Sequence, residues 1–139
     1  YALWREEQIL DADDTDLLNQ YTPHSVFFNT ADISDYRDRR EELVLKKHFG
    51  RMGDAVVMGR LCTPNMWEDA LMEAAARSKD YIVQQAFSPL PAPNGAVVLY
   101  PALGVYLING AFAGYYSRAD ASGFTTHEAY YAVTAVKTA

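Results

Sequence analysis

Lys46 ends a short apolar run and is followed by two glycines, Gly50 and Gly53. Glycines let backbone N–H groups approach a ligand closely, and a nearby lysine ammonium adds a positive point charge. This combination suits a phosphate group. The glycine spacing matches neither a Walker A loop nor a dinucleotide-binding fingerprint. From these residues alone, a phosphate site and an ordinary surface hairpin both remain open.

Other kinds of chemistry find less support in the residue types. The three histidines have no spacing that is typical of a metal site, and the single cysteine, Cys62, excludes an internal disulfide. Cys62 also has no histidine close to it in sequence, so nucleophilic catalysis is not indicated. The acidic stretch from Asp11 to Asp16 is typical of a helix start or a solvated face. We therefore expect no metal site within this chain.

The composition restricts the class of protein. The chain has 139 residues, half of them apolar, which is enough for one folded domain with a core. Its formal charge of -6 argues against nucleic-acid binding, because phosphate backbones require a basic surface. The single cysteine fits a reducing setting, so we expect a cytoplasmic protein. No apolar run is long enough to cross a membrane, so we expect no membrane contact. Because the sequence begins at Tyr1 rather than methionine, we expect a piece of a longer chain.

The elements that must position Lys46 are a strand, a glycine loop and a second strand. Leu43–Lys47 and Ala55–Met58 are the two strands of this predicted hairpin. A strand is also predicted at 25–29. A helix capped by Ser34 is predicted to run to about Glu42, with its arginines 37, 39 and 40 on a solvated face. Thr63 and Pro64 are typical of a helix start, and this helix is predicted to reach about residue 78.

The second half of the sequence reads mainly as antiparallel strands. A strand at 81–84 continues toward Phe87, and the three prolines of residues 88–95 predict an extended loop. Strands are predicted at 96–100, 105–108 and 111–116, the last two joined by Asn109-Gly110, a strong hairpin signal. Gly114 predicts a bulge or a close approach of backbone or ligand. The pattern indicates an α+β fold, mostly antiparallel sheet with helices packed on it.

Three segments, read in order, carry a resemblance to a known family. They are LKKHFGRMGDAVVMG, YIVQQAFSPLP and VYLINGAFAGYYSRADASGFTT. Together they resemble the carboxyl-terminal ATP-grasp region of the glutathionylspermidine synthase family, a circularly permuted ATP-grasp that holds ATP between two α+β subdomains. The resemblance covers residues 43–126 and implies a single ATP-grasp-like subdomain, with 1–42 as a lead-in segment and 127–139 as a tail.

The resemblance also implies roles for individual residues. Lys46 would lie at the phosphates of ATP, and Arg118 would face the terminal phosphate, where a guanidinium stabilises charge during phosphoryl transfer. Without the resemblance, Arg118 reads as a surface residue at a strand end. The glycine loop that closes over the phosphates would be formed by Gly50, Arg51 and Gly53. The hinge that meets the adenine edge would be formed by Gln84, Gln85 and the backbone of Ala86 and Phe87.

The sequence departs from the family pattern at Lys47, where the family usually has proline, and at Met52, which replaces the loop glutamate. Asp54 in addition brings a negative charge toward the phosphates. The carboxylates that hold Mg²⁺ in the family lie upstream of this region, and none is matched in residues 1–42. Two functions follow as alternatives. The first is the ATP-binding portion of a carboxylate–amine ligase, inactive on its own, whose parent protein binds ATP, Mg²⁺, a carboxylate and an amine. The second is a non-catalytic ATP-grasp-like domain used for protein association or regulation.

Overall fold

A computed structural model describes residues 2–50 and 55–135 of the chain. The chain forms two compact units, Tyr1–Phe87 and Ser88–Ala139. Both contain a four-stranded antiparallel sheet, and the helices belong to the first, which confirms the predicted α+β class. The predicted division into 1–42, 43–126 and 127–139 remains a prediction. Nowhere in the described ranges is there a helix with the length and apolar character needed to cross a bilayer.

The first unit is built on a sheet with the strand order β1-β4-β2-β3. Its strands are β1 (Ser25–Phe27), β2 (Leu43–Lys47), β3 (Val56–Met58) and β4 (Tyr81–Gln85). Its α-helices are α1 (Ala2–Glu6), α2 (Ala12–Tyr21), α3 (Ile33–Asp38) and α4 (Pro64–Ala76). Short 3₁₀ helices lie at Thr30–Asp32, Arg40–Glu42, Gly59–Leu61 and Ser78–Asp80.

The predicted hairpin around the glycine loop is confirmed. β2 and β3 pair antiparallel, with Lys46 opposite Val56 and Leu45 opposite Val57. β4 pairs along the other edge of β2, so Lys46 also lies opposite Ile82. β2 is thus an inner strand with its backbone held from both sides. The loop that joins β2 to β3 includes residues 51–54, which lie outside the described residues.

One face of this sheet carries the hydrophobic core. Because side chains alternate along a strand, Leu43 and Leu45 of β2 lie on the same face as Tyr81 and Val83 of β4. They pack with Trp67 and other apolar side chains into one buried cluster. The remaining members are Phe28, Tyr36, Leu71 and Ala74. The opposite face therefore carries Lys46 and its cross-strand neighbours.

The helix boundaries follow from local capping. Thr63 caps α4 as predicted, since its hydroxyl accepts a hydrogen bond from the Met66 N–H at 3.3 Å, with Pro64 in the first turn. Asp11 caps α2 in the same way, which confirms the acidic stretch as a helix start. The prediction that Ser34 caps a helix to Glu42 is wrong, because α3 begins at Ile33 and ends at Asp38.

The second unit is a sheet with the order β5-β6-β7-β8. The strands are β5 (Ala92–Asn94), β6 (Val97–Ile108), β7 (Ala111–Asp120) and β8 (Tyr130–Ala132). The prediction of a loop throughout residues 88–95 is wrong at β5, an edge strand where Pro93 is tolerated because one side of the strand needs no ladder partner. The two predicted strands at 96–100 and 105–108 are one strand. Pro101 fits within it because β5 pairs only with Val97–Leu99.

The β6–β7 hairpin forms as the sequence predicts. Asn109 and Gly110 both have positive φ, at 52° and 76°, as a tight two-residue turn requires. Gly114 has a φ of 145°, and the pairing register shifts between Tyr106 and Leu107, so the predicted bulge is present. β7 also extends beyond its predicted end at residue 116, which places Arg118 within the paired strand opposite Ala102.

Candidate functional site

A cleft of about 600 Å³ lies on the sheet face of the first unit that is opposite the core. It is lined by residues from all four strands of this sheet, by α1 and by the start of the glycine loop. The lining residues that matter here are Ser25, Phe27, Lys46, Gly50, Ile82 and Gln84. The alternation of β1, β2 and β4 brings them together, because residues paired across a sheet project to the same face.

A chain of hydrogen bonds crosses the floor of the cleft. The Lys46 ammonium donates to Gln84 Oε1 at 2.9 Å, and Gln84 Nε2 donates to Ser25 Oγ at 2.7 Å. The Ser25 hydroxyl donates to the Pro23 carbonyl oxygen at 3.0 Å. Gln84 and Ser25 are 7% and 1% exposed, so both polar groups are removed from water and satisfied within the protein.

Lys46 is half-buried, and burial lowers its pKa from the ordinary lysine value. Its hydrogen-bond acceptor, the Gln84 amide, is neutral. Among the residues that the structure describes, no carboxylate forms an ion pair with Lys46. Within the described ranges the cleft therefore holds a positive charge that is partly desolvated and has no ion-pair partner, which is the electrostatic requirement for an anion site.

One side of the cleft is aromatic. The His48 and Phe49 rings lie edge to face with their centroids 4.5 Å apart, and the Phe27 ring lies 6.5 Å from His48 in a similar arrangement. Phe49 is 92% exposed, so its ring is available to a ligand. An apolar wall beside a lysine suits a ligand with a flat ring and an anionic tail.

Lys47 points its ammonium away from Lys46. Its Nζ lies 3.4 Å from Glu73 Oε1 on α4 and 5.4 Å from the centre of the Tyr81 ring. The Tyr81 hydroxyl donates to the same carboxylate oxygen at 2.7 Å. Contacts with Tyr81 and then Glu73 raise the pKa of Lys47, so its charge is fixed against α4 on the core side of the sheet.

The predicted hinge residues after Gln84 are not among the side chains that line the cleft. Their backbone makes hydrogen bonds within the first unit. The Gln85 N–H donates to the His24 carbonyl at 2.8 Å, and the Ala86 N–H donates to the Glu42 carbonyl at 2.7 Å. The Phe87 carbonyl accepts from Arg60 Nη2 at 3.4 Å. Their contact with adenine remains a prediction.

Arg118 belongs to the second unit, where its side chain is buried. Its Nη2 lies 2.7 Å from the Thr126 carbonyl oxygen, 3.3 Å from that of His127 and 3.4 Å from that of Ala129. Its guanidinium also lies 5.4 Å from the Tyr131 ring centre. Within its unit, Arg118 thus ties β7 to the segment that leads into β8. Its role at a terminal phosphate remains a prediction.

Asp120 organises the turn that follows β7, a role that the sequence analysis did not predict. The Ser122 and Thr126 hydroxyls each donate to its carboxylate at 2.6 Å. These two hydroxyl donors, followed by the N–H groups of the same residues, hold the pKa of Asp120 well below its usual range. Asp120 is thus a fixed anion at neutral pH.

The structure brings together three of the predicted site residues, Lys46, Gly50 and Gln84, in one cleft. Arg51 and Gly53 lie outside the described residues. Ser25 is part of the site but was predicted only as a strand residue. The alternation of β1 could have placed Ser25 on one face with Phe27, but its contact with Gln84 depends on a pairing between strands that are far apart in sequence.

The chemistry of the donor set does not fit a divalent cation. Across residues 2–50 and 55–135, no group of three or more histidine, cysteine, aspartate or glutamate side chains is placed to hold a metal ion. The cleft instead presents an ammonium, an amide and aromatic rings. It is suited to an anion with an attached ring rather than to a cation.

A family model described as glutathionylspermidine synthase preATP-grasp matches residues 13–137, which is most of the chain. No curated protein and no solved structure matches it significantly. The matched range contains both strands of the Lys46 hairpin, the segment around Gln84 and the whole of β6 and β7. Its description names the preATP-grasp region, whereas the three sequence motifs pointed to the ATP-grasp region itself.

Proposed function

The chain belongs to the glutathionylspermidine synthase preATP-grasp family, and from the Lys46 cleft together with this family we propose that it is the ATP-binding portion of an ATP-grasp carboxylate–amine ligase. In the parent protein, a carboxylate substrate would attack the terminal phosphate of ATP and form an acyl phosphate with release of ADP. An amine substrate would then displace the phosphate and form an amide. The chain alone would bind nucleotide without completing this reaction.

The observation that carries this proposal is the charge of Lys46 in the cleft, which has no ion-pair partner in residues 2–50 and 55–135. Its ammonium is partly desolvated and bonded to a neutral amide, so a phosphate oxygen would gain a strong charge-assisted hydrogen bond there. Gly50 lies at the same edge of the cleft, where a residue without a side chain leaves room for close approach of the backbone. Lys46 would contact the phosphates, and Gly50 with Arg51 and Gly53 would close over them.

The base would occupy the aromatic side of the cleft, with the hinge from Gln84 to Phe87 at its edge. Gln84 is part of both the cleft and the hinge, since its side chain lines the cleft and its strand leads into Gln85 and Ala86. The Ala86 N–H is already bonded to the Glu42 carbonyl, so pairing with adenine would use other backbone groups of this segment or exchange that bond.

In this proposal Arg118 would stabilise the charge that develops on the transferred phosphoryl group. Its Nη2 is shared among three carbonyl oxygens, whereas its buried Nε has no hydrogen-bond partner in the described part of the chain. Mg²⁺, which supplies charge stabilisation in this family, does not fit any described set of side chains here, so its ligands would come from elsewhere in the parent protein.

Nucleotide binding is tested by isothermal titration of the chain with ATP, with and without Mg²⁺. We expect weak binding that the Lys46→Ala variant abolishes, because this removes the ammonium that is bonded to Gln84 in the cleft, whereas the Lys47 ammonium is held by Glu73. Lys79→Ala is the matched control, since it removes the same charge from the exposed 3₁₀ helix Ser78–Asp80 and should leave binding unchanged. Absence of ATP binding even in the full-length parent would refute the proposal.

A second candidate function, a non-catalytic domain for protein association, is favoured by the exposed apolar surface of the β6–β7 hairpin. Large apolar side chains project from both strands of this hairpin. They include Leu103, Val105, Leu107, Ile108 and Phe112. Several large apolar side chains exposed along one hairpin are typical of an interaction site.

The two functions differ in what the full-length parent does with ATP. A ligase consumes ATP only when both a carboxylate and an amine are present, whereas an association domain consumes none. We expect substrate-dependent release of phosphate from the parent and its loss in the Lys46→Ala variant. A parent that folds and binds partners but releases no phosphate with any carboxylate and amine would favour the association domain.

A further inference from the structure

The hydrogen-bond chain from Lys46 to Pro23 can run in only one direction. A lysine ammonium has protons and no free acceptor, so it must donate to Gln84. The Pro23 carbonyl at the other end has no proton, so it must accept from Ser25. The two groups between them, an amide and a hydroxyl, each can donate or accept. Their orientation is therefore dictated by the two ends.

Ser25 is the group that transmits this constraint to Gln84. Its hydroxyl carries one proton, which goes to the Pro23 carbonyl, so toward Gln84 it offers only a lone pair. Gln84 must present Nε2 to Ser25, and its Oε1 then faces Lys46. A flipped amide would bring its NH₂ group against the ammonium and leave the buried Ser25 oxygen against a second acceptor.

From this arrangement we infer that Ser25 is a positioning residue of the cleft, which holds the Lys46 ammonium in place for an anion by fixing the orientation of the Gln84 amide. This inference rests on the proposed function for the identity of the anion, a polyphosphate. The geometry itself does not depend on it, because all four groups belong to the first unit and three of them project from one sheet face.

Because the Gln84–Ser25 pair is neutral, it can hold the Lys46 ammonium in place without cancelling its charge. A carboxylate in place of Gln84 would hold the ammonium equally well but would cancel its charge toward the ligand. An apolar residue would leave the ammonium without an acceptor on the cleft floor, and the flexible lysine stem would place it elsewhere. An oriented amide avoids both outcomes, since it holds the cation and leaves its charge available.

The test is a set of substitutions with two readouts, NMR titration of the Lys46 side chain and calorimetric binding of inorganic triphosphate. In Ser25→Ala, we expect Lys46 to titrate at a lower pH than in the unmodified chain, because the ammonium loses its ordered acceptor. Triphosphate affinity should fall about fivefold, the equivalent of about 1 kcal/mol for one hydrogen bond. Ser25→Thr keeps the hydroxyl and should restore both readouts.

Further variants keep the test decisive. Ser25→Cys fills the serine volume with a poor acceptor and should behave like Ser25→Ala, even if the smaller side chain lowers stability. Ser117→Ala removes a buried serine from the second unit and should change neither readout. Gln84→Glu should raise the pKa of Lys46 and weaken triphosphate binding, because the new carboxylate offsets the charge.

The outcomes separate this inference from the proposed function. If triphosphate and ATP fail to bind but Ser25→Ala still shifts the Lys46 titration, the proposed function fails and the positioning role of Ser25 stands. The positioning role is overturned if triphosphate binds through Lys46 but Ser25→Ala leaves the Lys46 titration unshifted and changes the triphosphate affinity by less than twofold. A Ser25→Thr variant that folds but is no better than Ser25→Ala would overturn it as well.

Discussion

Lys46 and Lys47 are neighbours in sequence with opposite electrostatic environments. Burial lowers the pKa of Lys46, whereas contacts with Tyr81 and Glu73 raise that of Lys47. The difference comes from the alternation of β2, which turns one lysine to the cleft and the other to α4. Lys47 is paired with Glu73, whereas Lys46 is bonded to a neutral amide. A test of anion binding must therefore substitute the two lysines one at a time.

The lowered pKa of Lys46 predicts the pH dependence of anion binding. An anion needs the protonated ammonium, so triphosphate affinity should fall as pH rises through the lowered pKa, at a pH below the ordinary lysine value. Lys46→Arg should hold its affinity to higher pH, since arginine keeps its charge. Calorimetric titrations at several pH values check this, and an affinity that stays constant up to the ordinary pKa of lysine would contradict it.

The same shift affects stability, with a sign that follows from proton linkage. The unfolded chain binds a proton at Lys46 more tightly than the folded chain, so burial of the charged form costs stability at neutral pH. This cost is relieved as pH rises from the lowered pKa toward the ordinary one. The buried Lys46 charge therefore carries a desolvation cost, which binding of an anion would offset.

At the scale of elements, Arg40 and Gly59 hold the connection from β3 into α4. Arg40 Nη1 donates to the Cys62 carbonyl oxygen at 2.6 Å and also to the Gly59 carbonyl oxygen. A Cβ at position 59 would lie 1.8 Å from the Arg40 carbonyl oxygen, far inside contact distance. Glycine is required there for close packing of two backbones rather than for a special φ.

Gly59→Ala should therefore destabilise the first unit by about 3 kcal/mol or more, because a backbone oxygen cannot move aside as a flexible side chain would. Leu61→Ala is a suitable control from the same 3₁₀ helix, since Leu61 is exposed and should change stability by less than about 0.5 kcal/mol. Urea unfolding measures both variants. A Gly59→Ala chain with wild-type stability would show that the two segments separate easily.

Local signals predicted several elements, and long-range pairing accounts for most of the errors. Thr63 with Pro64 specified the start of α4, and Asn109-Gly110 specified the β6–β7 turn, because each acts through residues a few positions away. Arg40 was predicted on a solvated helix face, yet its guanidinium reaches Cys62, a contact that no helical periodicity encodes. The strand β8 was missed because its pairing with β7 supplies what its own short sequence does not.

The candidate site shows the same division. Lys46 could be selected from its type and its place beside glycines, and the order of the motifs added Gln84. Neither signal could show that the two side chains touch, because that contact depends on the register of β2 with β4. Ser25 needed a second register, that of β1 with β4, and so remained hidden in the sequence.

At the scale of the whole molecule, the two units differ in how they cover apolar surface. The first unit buries one sheet face under α4 around Trp67. In the second unit, the long β6–β7 hairpin leaves large side chains such as Leu107 and Phe112 more than half exposed. β5 and β8 pair only with one end of this hairpin, so the end near Leu107 is two-stranded, an arrangement that favours further contacts for its apolar surface.

This surface predicts association of the isolated chain, which double substitution of Leu107→Lys with Phe112→Glu should reduce. The two residues face each other across the hairpin, so the new charges would pair on the strand surface while the apolar patch is broken. Sedimentation velocity at increasing concentration measures the effect, with circular dichroism to confirm that the fold is kept. Leu90→Lys is the control, since it adds a charge at an exposed leucine of the loop before β5. If the unsubstituted chain remains monomeric up to high concentration, this result would argue against an associating surface and leave nucleotide binding as the better-supported role.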